Sequence, residues 1–196
     1  MATTRANKNI SDFKAALIGG GARPNLFEVE LTTLPAGISW DADNFRYMCK
    51  AAQLPASQIA NIDVPFRGRI FKVAGDRTID TWTVTVINDE DFRIRNAFEE
   101  WTQQIANLDT NIGATDPSAY MTNAKVFQLG RGTTKSSKDS NGTDNVVLKE
   151  YEFVDIFPTT VSSIDLSYDT GDTIEEFTVE FQVQSLNLAG AGSPNG

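Results

Sequence analysis

Residues 177–184, Phe177-Thr178-Val179-Glu180-Phe181-Gln182-Val183-Gln184, alternate apolar and polar side chains without a break. In an extended chain successive side chains point to opposite faces, so this stretch predicts a β-strand with one apolar and one wet face. Phe27-Glu28-Val29-Glu30-Leu31, Trp82-Thr83-Val84-Thr85-Val86 and Ile164-Asp165-Leu166-Ser167-Tyr168 repeat the pattern. Each reads as a half-buried strand. Weaker strand patterns cover 45–51, 67–73, 124–129 and 146–157, the last too long and mixed to be one simple two-faced strand. Ala74-Gly75-Asp76-Arg77 lies between two strand patterns and carries hairpin-turn chemistry, with Gly75 free to take a positive φ. A mainly β fold is expected.

One helix stands against this background, over about 88–108. Ile94, Phe98, Trp101, Ile105 and Leu108 recur three or four residues apart, giving one continuous apolar face. Asn88 is the expected cap, with Asp89, Glu90 and Asp91 at the positive end of the helix dipole. The stripe reads as core packed against a sheet. A second short helix is expected over 11–18, ended by Gly19-Gly20-Gly21, which also offers a hinge. Segments 32–44, 52–63 and 130–145 lack periodicity and read as connections, and loops of this length in a compact domain are functional or disordered. The expected organisation is an N-terminal arm with a short helix (1–25), a β domain (26–188) carrying a polar surface loop (130–145), and a flexible tail (189–196).

The chain has 196 residues, 17 Lys and Arg against 26 Asp and Glu, no histidine and one cysteine. Without histidine there is no Ser-His-Asp or Cys-His nucleophile pair, no HExxH zinc site and no imidazole proton shuttle. Cys49 alone forms no intrachain disulfide and no CxxC pair. No export signal and no apolar run near the roughly 20 residues of a membrane-spanning helix is visible, so a cytosolic site of synthesis is expected and the sequons at Asn9 and Asn141 read as idle. The charge is uneven. Residues 1–25 hold Arg5, Lys8, Lys14 and Arg23 against Asp12, whereas 151–196 hold eight acidic residues and no basic one. Such a split is either a fluctuation on a solvated surface, or a match between basic and acidic faces of neighbouring copies, or an acidic lining of a shared cavity.

Local motifs carry little chemistry. Residues 139–150 superficially match a calcium loop, but its sixth position is Asp144 instead of Gly and no helices flank it. Residues 130–135, Gly130-Arg131-Gly132-Thr133-Thr134-Lys135, lack phosphate-loop spacing. A two-carboxylate enzyme is formally open to any acidic chain, yet no Asp or Glu stands in an apolar context that would raise its pKa. An acidic surface also disfavours binding to nucleic-acid phosphates.

As an ordered set, Ala22-Arg23-Pro24-Asn25-Leu26-Phe27, Lys50-Ala51-Ala52-Gln53-Leu54-Pro55-Ala56 and Phe71-Lys72-Val73-Ala74-Gly75-Asp76-Arg77-Thr78, followed by Trp82-Thr83-Val84-Thr85-Val86 and Asn88-Asp89-Glu90, resemble the tail tube proteins of contractile-tailed bacteriophages. The likeness is strongest over 22–105 and continues through Phe157-Pro158-Thr159 and 177–183. The resemblance implies a β-sandwich or barrel-like subunit with one flanking helix, six copies closing into a ring and rings stacking into a hollow tube. It also implies a sheath outside, a baseplate and tape-measure protein at assembly, and viral DNA in transit without specific binding. No catalytic residue, cofactor, metal or membrane anchor belongs to that picture. Its location is the virion, after assembly in the host cytoplasm.

Within such a tube, sheet edges shared between copies would close an inner barrel, and a head-to-tail contact would build the filament. Glu176, Thr178, Glu180 and Gln182 oppose the apolar side of their strand and are the candidate channel lining. Their carboxylates would repel DNA phosphates over a Debye length of about 8 Å at physiological salt. Leu34, Pro35, Leu54 and Pro55 are candidate stacking residues, and Arg67, Arg69 and Arg77 candidate lateral partners of acidic neighbours. Two other readings compete: the tube ring of a phage-derived contractile injection or secretion system carrying protein effectors, and a monomeric carbohydrate-active or carbohydrate-binding β domain, which would show a sugar-dependent melting shift.

Overall fold

Alternation of the kind seen at 177–184 recurs in enough segments to wrap one sheet around a single apolar core. The computed structural model describes residues 9–17, 21–133, 145–169 and 171–187. In chain order the elements are α1 (Ile10–Ala16), β1 (Phe27–Glu30), α2 (Ala42–Met48), β2 (Cys49–Gln53), β3 (Ser57–Phe66), β4 (Arg69–Ile79), β5 (Trp82–Ile87), α3 (Arg93–Ile105), a 3-10 turn (Pro117–Ala119), β6 (Thr122–Thr133), β7 (Asn145–Val161) and β8 (Glu176–Asn187). Six strands form one antiparallel sheet in the order β1-β6-β7-β8-β5-β2, and β3 pairs only with β4.

The sheet curls until its two edge strands, β1 and β2, approach each other. Helix α2 bridges that seam: Phe45 is fully buried, Arg46 ion-pairs with Glu28 at 2.8 Å, and Asn44 donates to Asp89 at 3.1 Å. The result is a nearly closed barrel. Its interior is filled by inward residues of every strand, including Val29, Trp82, Val84, Val126, Phe153, Phe177, Val179 and Phe181. Trp82 stacks on Phe153 with ring centroids 4.6 Å apart, and Phe181 lies 5.1 Å from Trp82. Helix α3 adds Ile94, Ala97, Phe98 and Trp101 to the same core, and the buried Trp101 indole donates to the Tyr120 carbonyl at 2.7 Å. Burying an aromatic side chain stabilises by roughly 1.5–3 kcal/mol, so this cluster dominates the energetics of the subunit.

Several expectations change. Helix α3 starts at Arg93, not near Asn88, because Asn88 prolongs the β5–β8 ladder: its N–H donates to the Glu175 carbonyl at 2.9 Å and its side-chain amide to the Glu175 carboxylate at 3.0 Å. The helix therefore has no acidic first turn, and it stops at Ile105, where the Asn107 side chain accepts from the Asp109 and Thr110 N–H groups. Leu108 is exposed instead of sitting on the buried face. Residues 45–51 are not one strand; Asp41 caps α2 there before β2 begins. Residues 164–168 are irregular instead of a strand, since no neighbour offers them a ladder; Ile164 packs half-buried against the core and 165–168 are exposed. The arm helix ends at Ala16, and the expected loop tip (134–144) and tail (189–196) lie outside the described residues.

The largest correction concerns 52–79. The hairpin turn is Arg67-Gly68, with φ of 45° and 81°, and Ala74-Gly75-Asp76-Arg77 lies inside β4. Two consecutive positive φ values fit the two-residue turn whose twist matches paired strands. Gly75 is needed for space: opposite the register break at Ala60, an added Cβ would lie 3.1 Å from the Ala60 carbonyl oxygen. What read as a connection over 52–63 is mostly β3.

Candidate assembly surfaces

The β3–β4 ribbon is two-faced and uncovered. Directly paired residues share a face, which puts Ile62, Val64, Phe66, Phe71 and Val73 together on one side, with Arg69 near the tip. On the other side the Lys72 ammonium meets Asp63 at 2.9 Å. All ten residues of β3 are exposed, and Phe66 and Phe71 on the apolar side are each 67% accessible. A lone two-stranded hairpin is marginal in water, and a contiguous apolar strip of this kind marks an interaction surface. Arg67 sits at the tip with its guanidinium 5.5 Å from the Phe66 ring, while Arg77 reaches the Ser57 hydroxyl at 2.9 Å and ties the ribbon's root. Arg67, Arg69 and Arg77 are thus all carried by the ribbon and exposed.

The loop residues divide. Leu34 packs against the core and Pro35 is buried, held in a segment whose Ala36 carbonyl accepts from the Gln104 side chain at 3.2 Å. Leu54 is exposed and Pro55 half-buried where β2 leads into the ribbon. Ile62, Val64, Phe66, Phe71 and Val73 are not among the contact residues expected from the sequence, although Ile62-Asp63-Val64-Pro65-Phe66 alternates at period two.

On β8 the burial alternates as the sequence predicts: Phe177, Val179, Phe181 and Val183 are buried, while Thr178, Glu180 and Gln182 are half-buried on the barrel's outer face beside Thr83 and Thr85 of β5. Lys50 of β2 pairs with Glu176, so that carboxylate is locally compensated. Among the described residues Glu180 forms no ion pair. Farther round the same wall, Lys125 meets Glu150 at 2.9 Å, and the hydrogen bond and charge of Glu150 raise the lysine pKa. Cys49, half-buried at the start of β2, has its thiol pushed up to about 12 by desolvation. No group of three or more His, Cys, Asp or Glu able to hold a metal ion occurs among the described residues.

Residues 22–188 match the family model described as phage tail tube protein. Tail tube protein gp19 of Enterobacteria phage T4 is 38% identical over 161 residues, spanning 82% of this chain and 88% of that protein. The tail tube protein of Serratia phage KSP90 is 24% identical over 176 residues, 88% of this chain and 93% of its own length. Among solved structures, the anti-feeding prophage cap is similar with a TM-score of 0.57 at 16% identity, covering 87% of this chain and 92% of that one. The sheath–tube complex of an extracellular contractile injection system in its extended state aligns with a TM-score of 0.55 at 12% identity, over 94% and 99% of the two chains. These two likenesses concern the fold, whereas the sequence matches over most of the chain fix the lineage: the chain belongs to the phage tail tube protein family.

Proposed function

We propose that this protein is the structural subunit of a contractile phage tail tube, six copies closing into a ring and rings stacking into a hollow conduit for the genome. The uncovered apolar face of the β3–β4 ribbon carries this reading, because a second copy is the partner always present at high local concentration during assembly. The ribbon's arginines then meet the acidic surface of a neighbour, and Leu54 with Pro55 lies at its root. Leu34 and Pro35 act indirectly, by holding the 32–41 segment against the body. The outer face of β8, with Thr178, Glu180 and Gln182, lines the channel, and Glu176 sits at its end. A sheath encloses the tube, a baseplate and tape-measure protein guide its growth in the host cytoplasm, and DNA passes without specific binding. The chain needs no cofactor and performs no catalysis in this role. Identity to phage tail tube proteins favours DNA over protein effectors as the cargo.

Sedimentation velocity over a concentration series, with negative-stain microscopy of the same samples, tests the assembly. The wild type should pass from subunits to rings and hollow filaments as concentration rises, whereas Phe66→Asp with Phe71→Asp should stay monomeric while keeping the wild-type circular dichroism spectrum. A wild type that remains a monomer at every concentration would overturn the reading.

A further inference from the structure

Helix α1 is an amphipathic element with nothing to lie on. Asn9 and Asp12 form a reciprocal capping box, so the helix start is defined locally, yet none of its residues is buried. Ile10, Phe13 and Leu17 follow the three- and four-residue spacing of one helical face, and Ile10 and Phe13 are 67% and 60% exposed. The segment that bears it, residues 1–21, lies outside the 22–188 match to the tail tube family. A second orphan surface lies in the loop before β8. Residues 163–168 and 173–176 border an open groove of about 690 Å³, with Leu166 and Ile174 80% and 71% exposed and Asp165, Glu175 and Glu176 among its lining.

The two surfaces complement each other. The arm is basic, with Arg5, Lys8, Lys14 and Arg23 against Asp12, while 151–196 contain no basic residue. Each contributes apolar side chains that water now covers. The arm also joins the barrel wall at the end opposite the groove. Following the register from β1 through β6 and β7 to β8, Phe27, where the arm joins, lies toward the Gln128, Val147 and Asn187 end. The groove lies at the other end, beside Val161 and Glu176. A contact between one end of a subunit and the opposite end of the next is heterologous and propagates a stack.

We propose that α1 of one copy docks, Ile10, Phe13 and Leu17 inward, into the groove lined by 163–168 and 173–176 of the next copy in the stack, with Lys14 directed to its acidic side chains. This rests on the stacked-tube reading and adds a strap between successive copies. In a Cys49→Ala background, copies bearing Phe13→Cys are mixed with copies bearing Ile174→Cys, assembled and oxidised. The expected product is a disulfide-linked pair of the two different copies that disappears when the sample is diluted below the assembly concentration before oxidation. Filaments that form without this link would overturn the docking and leave the stack intact, as would a link found only within single chains of the Phe13→Cys, Ile174→Cys double variant. A Cys49→Ala parent that forms no filaments where the wild type does not either would remove the stack itself. Should the cysteine copies fail to assemble, charge reversal decides: Lys14→Glu should raise the critical concentration roughly two- to fivefold, the scale of one exposed ion pair, and Asp165→Lys should restore it. Equal critical concentrations in all three proteins would overturn the strap.

Discussion

Phe98 is the residue on which the subunit's body turns. Its fully buried ring lies 5.8 Å from Phe181, 6.4 Å from Phe177 and 6.0 Å from Phe45, joining α3, β8 and α2 in one contact. Phe98→Ala should therefore destabilise the unassembled subunit by about 3–5 kcal/mol, read as a shift in the urea midpoint without a change in slope. Cys49 makes a different kind of statement. Burial holds its thiol at about 12, above the ordinary value of 9.0, so the folded chain keeps a proton that the unfolded chain releases. The stabilising contribution is complete below pH 9 and is lost as pH climbs toward 12. The wild type should lose more melting temperature between pH 8 and pH 10.5 than Cys49→Ala does, and the native thiol should react slowly with disulfide reagents at pH 8.

At the scale of elements, the β3–β4 ribbon and α2 answer the same problem differently. Helix α2 closes a seam within the chain by burying Phe45 and pairing Arg46 with Glu28 and Glu30. The ribbon leaves its apolar face open, and its order depends on Gly68 accepting a φ of 81°. Placing a β-carbon there costs about 1–2 kcal/mol. Since Gly68 has no neighbour within 4 Å of that position, Gly68→Ala should spare the barrel's melting temperature yet raise the critical concentration for assembly about fivefold or more. A large drop in melting temperature instead would mean that the ribbon supports the barrel.

For the whole molecule, the decisive property is a nearly closed barrel bearing uncovered appendages. Strands β1 and β2 approach without pairing and α2 covers the seam between them, so the uncovered ribbon is the surface we propose for joining copies, with the β8 outer face proposed to meet the cargo. Replacing Glu180 by Lys puts a cation among the proposed channel residues without touching the core, because Glu180 forms no ion pair among the described residues. Tubes should still form, and their retention of DNA should rise steeply as salt falls, measured by co-sedimentation of tubes with linear DNA. Wild-type tubes should show no retention. Equal behaviour of the two would put Glu180 elsewhere than in the channel.

Period-two alternation settled β1, β5 and β8, and the three- and four-residue spacing settled the buried face of α3, because a side chain's direction follows from local backbone geometry alone. The family was legible for the same reason: motifs such as 71–78 are contiguous. The end of α3 nearest Asn88, the helical conformation of 42–48 and the ribbon turn at Arg67-Gly68 were decided elsewhere. Asn88 abandoned its cap for a ladder partner 87 residues away, and Gly75 was drawn from a turn into a strand by the close approach of Ala60. Local chemistry at these positions permits two outcomes of similar free energy, and only long-range pairing chooses between them.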